Sequence, residues 1–111
     1  MAGRNAAFIA GVPQLLILTL LSRREMYGYE LAKAVETASA AALSLGEGVL
    51  YPALHSLEAA GALRARERIV RGRKRVYYSL TANGRRRLAD LTRRWSRVSG
   101  AVAAVLGGPH G

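Results

Sequence analysis

The hydrophobic period of this chain changes twice, and both changes fall on recognisable breakers. Up to Gly61 apolar residues recur every three to four positions; from Leu63 to Leu80 they recur every second position; after Thr81 the helical spacing returns. A chain of 111 residues, half of them hydrophobic, has room for one domain with a modest core. One domain is therefore the working expectation.

The first helical segment is "VPQLLILTLLSRRE" at 12–25, with Pro13 in its first turn and Leu15, Leu16, Leu18, Leu20 and Leu21 apolar nearly all round. Most of its surface must be covered. After a break at "MYG", "YELAKAVETASAAAL" places Leu31, Val35 and Ala38 on one stripe, with Glu30, Lys33 and Glu36 off it. A short "LSLG" turn then leads to a third helix built on Leu50, Leu54 and Leu57. Proline is tolerated where its missing N–H would be unpaired, so this helix is expected to begin near Gly48 or Val49, with Pro52 in its first turn and Gly61 as its C-terminal stop. Two helices joined in this way form a helix-turn-helix outline.

In the period-2 region Leu63, Ala65, Glu67 and Ile69 alternate with Arg64, Arg66, Arg68 and Val70, and Val76, Tyr78 and Leu80 alternate with Tyr77 and Ser79. The intervening "RGRK" supplies a glycine for a positive φ angle, so the two runs form a hairpin. A helix-turn-helix followed by a two-stranded ribbon is a winged helix. The expected fold is mostly α with a small β-hairpin: a winged helix-turn-helix over 1–80, a dimerisation helix over 81–106 and a disordered tail at 107–111.

Thr81 is a suitable N-cap for the last helix. Within it Leu88, Leu91, Trp95, Val98, Val102 and Val105 step by three or four residues, a heptad seam with the arginines at 85, 86, 87, 93, 94 and 97 mostly off it. A lone winged helix of this size has already used its core-facing surfaces. A second copy of the chain is the expected cover, though packing on its own domain is the plainer alternative.

Charge is segregated. Residues 1–60 carry four basic and five acidic side chains, net −1, whereas residues 61–111 carry thirteen and two, net +11. Such a balance favours a polyanionic partner and says nothing about fold. Without cysteine, disulfides, thiolate metal sites and cysteine nucleophiles are excluded. Two histidines and seven scattered acids offer no catalytic constellation, so no enzyme activity and no cofactor or metal is expected. The apolar run "AAFIAGVPQLLILTLL" is too short, and broken by Pro13, to span a bilayer, for which ~20 residues are needed. A basic segment follows it where a signal peptide would carry a cleavage site. A cytoplasmic protein with no membrane role is expected.

Four stretches, "YGYELAKAVE", "GVLYPALHSLEAAGAL", "GRKRVYYSLTANGRRRL" and the tryptophan-bearing last helix, resemble the PadR family of bacterial winged-helix transcriptional regulators, in particular its short subfamily with one C-terminal helix. The resemblance covers roughly residues 12–106. It implies a homodimeric repressor that binds a near-palindromic promoter operator in double-stranded DNA and is released by a small aromatic or hydrophobic effector. "RRWSRV" at 93–98 is similar to the corresponding helix of multidrug-sensing members, in which paired tryptophans line a pore at the dimer interface. Val49 stands where the family usually carries a small hydroxyl residue before "LYP", so contacts of that hydroxyl do not transfer.

In a winged helix the second helix of the helix-turn-helix enters the major groove. With its leucines committed to the core, Glu47, Tyr51 and His55, together with Ser44 and Ser56, are left to face DNA. None is an arginine, the commonest reader of guanine, so direct readout is sparse. Tyr51 and His55 are suited to phosphate or a thymine methyl; simple packing for Tyr51 and solvation for His55 are the alternatives. Arg71, Arg73, Lys74 and Arg75 at the wing tip are suited to flanking phosphates or a narrow minor groove. Two readings stand for Trp95: it fills the dimer core, or two facing indoles hold the helices apart and leave a ligand slot. A non-specific nucleoid-type protein is the competing function.

Overall fold

The computed structural model describes residues 11–107. The expected residues of the N-terminal apolar run before Gly11, and positions 108–111 of the expected tail, lie outside them. The described chain runs α1 (Val12–Leu21), β1 (Met26–Tyr27), α2 (Gly28–Ala38), α3 (Glu47–Ala59), β2 (Leu63–Val70), β3 (Arg73–Leu80) and α4 (Ala82–Gly107). The fold is a winged helix followed by one long helix.

The core is leucine-rich and contributed by every element of the winged helix. Ile17 and Leu18 of α1, Leu31 of α2 and Leu50, Leu54 and Leu57 of α3 are fully buried. As its nearly all-round apolar sequence requires, α1 lies in the middle of the domain, with Leu20 and Leu21 also buried. The base of the sheet closes the core with Met26, Ala62, Leu63 and Tyr78.

Four boundaries differ from the sequence expectation. The first helix ends at Leu21 rather than running to Glu25. There the Ser22 hydroxyl donates to the Thr19 carbonyl at 2.6 Å, and the chain is drawn into the sheet instead. That departure creates the second difference: Met26 and Tyr27 form a third strand, pairing antiparallel with Tyr78 and Tyr77, so the sheet order is β1-β3-β2 rather than a two-stranded ribbon. Third, α2 stops at Ala38, and residues 39–46, not four residues alone, connect it to α3. The stop is made by Ala40 and Ala41 in the left-handed region, φ 52° and 67°, with the Ala41 N–H bonded to the Glu36 carbonyl at 2.7 Å. Ser39 reinforces it, its hydroxyl donating to the Val35 carbonyl and accepting from the Leu43 N–H. Fourth, α3 begins at Glu47, which puts Pro52 in the second turn. The proline ring removes the N–H that would bond the Gly48 carbonyl. Both residues are exposed, so water can serve that carbonyl.

The remaining signals act as expected. Gly61 takes φ +78°, and the bonds Gly61 N–H to Glu58 carbonyl and Ala62 N–H to Leu57 carbonyl complete a Schellman stop for α3. The hairpin turns on Arg71 and Gly72, both at positive φ (53° and 76°), the conformation of a two-residue type I′ turn. β2 and β3 pair from Leu63 opposite Leu80 to Val70 opposite Arg73. Tyr78 is buried at the base and Tyr77 is half-buried on the opposite face, as alternation requires.

Thr81 joins three segments. Its hydroxyl accepts from the Gly84 N–H at 3.0 Å as an N-cap and donates to the Gly61 carbonyl at 2.6 Å. From there α4 runs 26 residues, about 39 Å at ~1.5 Å per residue. Its first turns lie so close to the sheet that a Cβ on Gly84 would overlap the Ala62 carbonyl oxygen and sit 2.7 Å from Leu80 Cδ1. Leu88 and Leu91 are half-buried and pack against the core of their own domain. Beyond them the seam leaves it: Trp95 is 42% exposed, Val102 52%, and Val105 and Leu106 each 83%.

Candidate nucleic-acid interface

A cleft of about 560 Å³ opens between α3, the N-terminus of α2 and the edge of β3 where it extends beyond its pairing with β1. It brings together five of the nine residues expected to face DNA: Tyr51 and His55 from α3, and Arg73, Lys74 and Arg75 from the wing. Tyr51 and His55 lie one helical turn apart on the exposed side of α3, ring centroids 6.4 Å apart. Their orientation follows from the sequence, because Leu50, Leu54 and Leu57 hold the other side of the helix in the core. The other four expected residues lie outside the cleft: Ser44 in the loop before α3, Glu47 at its exposed first position, Ser56 exposed further along α3, and Arg71 in the wing turn.

Five lining residues were not expected: Tyr27, Gly28 and Tyr29 at the start of α2, and Val76 and Tyr78 of β3. Tyr27 and Tyr29 flank Gly28, and their rings are 6.4 Å apart and nearly parallel. Gly28 is small for a specific reason: an added Cβ would come within 2.8 Å of Tyr51 Cζ and closer still to its hydroxyl. This close approach seats the Tyr51 ring over the start of α2. The Tyr27 N–H donates to the Glu30 carboxylate at 3.2 Å, which fixes the first turn of α2 and with it Tyr29. The "YGY" pattern was the available signal, two aromatics around the one residue that lets a third approach.

The cations are held in different ways. The Arg75 guanidinium lies 4.4 Å over the Tyr27 ring, a stack that orients its donors while leaving them unspent. Lys74 is 3.8 Å from Glu67, a loose and solvent-exposed pair that competes poorly with phosphate. Among the described residues, Arg71, Arg73 and Arg75 have no ion-pair partner. Arg66 and Arg68 differ, since both bond the Glu25 carboxylate, at 3.0 and 2.7 Å. Tyr78 sits at the back of the cleft with its pKa raised, first by burial and then by Glu58 and Tyr51, so its hydroxyl stays protonated.

The cleft is thus a polar, aromatic-walled groove with three cations on one rim. It can take a phosphate backbone, with tyrosine hydroxyls and guanidinium groups as donors and α3 presented beside it. Among the described residues no cluster of three or more histidines and acids could hold a metal ion, and no helix is long and apolar enough to cross a membrane.

Known proteins share this fold. A solved structure from Streptococcus mutans UA159, smu.1704, is 33% identical and superposes with a TM-score of 0.78 over 89% of this chain and 90% of that one. A PadR family transcription regulator from Clostridium difficile R20291 is 28% identical, with a TM-score of 0.73 over 87% of this chain and all of that one (100%). Transcriptional regulator Rv3488 of Mycobacterium tuberculosis is 44% identical over 61 residues, which span 55% of this chain. The matched region covers about half of that relative (54%) and 32% of transcriptional regulator YqjI of Escherichia coli. Residues 17–90 match the family model described as the transcriptional regulator PadR-like family. The chain therefore belongs to the PadR-like family of transcriptional regulators.

Proposed function

We propose that this chain is a homodimeric, sequence-specific DNA-binding repressor, relieved by a small aromatic or hydrophobic ligand at the dimer interface. The observation that carries the DNA-binding part is the cleft in which Tyr51 and His55 of α3 face Arg73, Lys74 and Arg75 of the wing. Docked with α3 in the major groove, the chain presents the wing to the adjacent backbone or minor groove. With no arginine on the exposed side of α3, sequence preference comes in part from groove width and deformability.

Dimerisation is supported by the distal part of α4, where Val102, Val105 and Leu106 stand exposed on a helix that has left its own core. A second copy laid along that seam covers them and sets the two recognition helices at a fixed separation, ~34 Å for half-sites one helical turn apart. Trp95 lies where the seam leaves the domain, at the mouth of such an interface. An aromatic ligand there gains ~0.5–1.5 kcal/mol per ring pair beyond burial. Tilting the subunits then breaks the half-site spacing.

The test is fluorescence anisotropy on DNA upstream of the protein's own gene against a scrambled duplex, at two salt concentrations. A preference of about 10³-fold or more supports a specific operator binder. Equal binding to both duplexes, falling steeply with salt, is the behaviour of a non-specific nucleoid-type protein and refutes the repressor reading for that site.

A further inference from the structure

The strand register gathers the arginines of the wing on one face of the sheet. Arg66 of β2 stands opposite Tyr77 of β3, which stands opposite Tyr27 of β1; Arg68 stands opposite Arg75, and Val70 opposite Arg73. Directly opposed side chains share a face. Arg66 and Arg68 therefore belong to the same surface as Arg73 and Arg75 at the rim of the cleft. The Glu25 carboxylate reaches across β3 to that surface, where it accepts from both Arg66 and Arg68. Glu67 of β2 lies on the other face, beside Lys74.

Like charges set directly opposite on neighbouring strands repel, and Arg68 and Arg75 lean apart over aromatic rings. The Arg68 guanidinium lies 4.4 Å over Tyr77, the Arg75 guanidinium 4.4 Å over Tyr27, and the two rings are 5.4 Å apart. These side chains make one line of contacts from β2 to the cleft, and its two ends differ. Arg75 has no ion-pair partner among the described residues. At the other end Arg68 donates to Glu25 at 2.7 Å, and Arg66 donates to its two oxygens at 3.0 and 3.3 Å. An exposed single pair such as Lys74–Glu67 yields readily to phosphate. A carboxylate shared by two guanidinium groups, one of them stacked on a ring, is a network and holds better.

We propose that Glu25 is an electrostatic brake on the DNA site: it keeps Arg66 and Arg68 from phosphate, so the wing neutralises fewer phosphates than its arginines could. Sequence-independent affinity follows the number of phosphates neutralised. The carboxylate thus weakens the hold on any duplex and leaves binding to Arg73, Lys74, Arg75 and the cleft. The inference rests on the cleft being the DNA site.

The test is anisotropy on the scrambled duplex over a series of salt concentrations, comparing wild type with Glu25→Gln, which keeps the size of the side chain and removes its charge. Glu25→Gln is expected to bind about threefold tighter or more, with a log–log salt slope steeper by up to ~1.8, for two further phosphates at ~0.9 each. Removing any acid attracts DNA, so the substitution is repeated in an Arg66→Ala/Arg68→Ala background. There the gain in affinity should be smaller and the slope should change by less than ~0.5. A second readout needs no variant: on adding the duplex to wild type, the Arg75 Nε–H resonance should shift while those of Arg66 and Arg68 hold their positions. Three results overturn the proposal. Equal gains and slope changes in both backgrounds would mean that net charge alone acts. Unchanged or weaker binding by Glu25→Gln would make Glu25 a strap across the sheet and nothing more. Wild-type Arg66 and Arg68 resonances that move as far as that of Arg75 would show them already on phosphate. Failure of wild type to bind any duplex is distinct, since it appears before any substitution and removes the cleft reading and the brake together.

Discussion

Two glycines on α4 should respond to alanine in opposite directions. A Cβ on Gly84 would overlap the Ala62 carbonyl oxygen and crowd Leu80, whereas one on Gly100 would meet nothing within 4 Å. The Ala62 carbonyl is backbone, held by the Thr81 N–H at 3.1 Å, and cannot rotate aside. Overpacking of this kind costs about 1–3 kcal/mol. The gain in helix propensity from glycine to alanine, about 0.8–1 kcal/mol, offsets part of it. The net for Gly84→Ala is a loss of up to about 2 kcal/mol, or up to roughly 8 °C in Tm at ~4 °C per kcal/mol for a domain of this size. Gly100→Ala meets no such opposition and should raise stability by up to ~1 kcal/mol. Thermal and urea melts of both variants, at one protein concentration, measure the difference. If Gly84→Ala is as stable as Gly100→Ala, α4 does not dock on the base of the sheet as described.

Three further perturbations test separate parts of the structure. Thr81→Ala removes both the cap to Gly84 and the bond to Gly61, and should cost about 1–2 kcal/mol in a urea melt. Tyr78 has a folded pKa above its unfolded value, so its contribution to stability is complete below pH ~10 and is lost as pH rises through the higher folded value; Tyr78→Phe should therefore lose less Tm than wild type between pH 9 and pH 11, both values chosen about the unfolded tyrosine pKa of ~10. Arg75→Ala removes the cation stacked on Tyr27 at the cleft rim and should weaken binding uniformly across duplex sequences, lowering the salt slope by about one, as read by anisotropy.

The winged helix was legible in the sequence because each of its main signals is local. The change of period at Gly61, the Arg71–Gly72 turn and the Thr81 cap depend on neighbours a few residues away, and the leucines of α3 repeat at the helical spacing. What was missed depends on contacts distant in the chain or on a signal of the wrong residue type. β1 is two residues long, too short to show alternation, and exists only because Tyr77 and Tyr78 offer it an edge. The end of α2 carries no glycine: Ala40 and Ala41 take up left-handed conformations that a sequence of good helix formers conceals. Pro52 misled by its usual preference for a first turn, which solvent exposure relaxes.

The candidate site was legible in part for the same reason. Tyr51, His55, Arg73, Lys74 and Arg75 follow from alternation and helical spacing once the core residues are known. Tyr27 and Tyr29 do not, because they join the cleft through Gly28, whose missing side chain matters only when Tyr51 is folded over it. Glu25 likewise shows its role only across the sheet, where it holds Arg66 and Arg68. The seam of α4 was visible as a heptad, but its division between Leu88 and Leu91 on the core and Val102 and Val105 beyond it is a matter of where the domain ends.

The central claim is that the cleft between α3 and the wing holds DNA, and backbone amide NMR with one equivalent of a short upstream duplex tests it most directly. The account predicts the largest shifts at Tyr27 to Tyr29, Tyr51 to His55 and Arg73 to Arg75, with the distal half of α4 little changed. Shifts concentrated on α4, with the cleft residues silent, would contradict it.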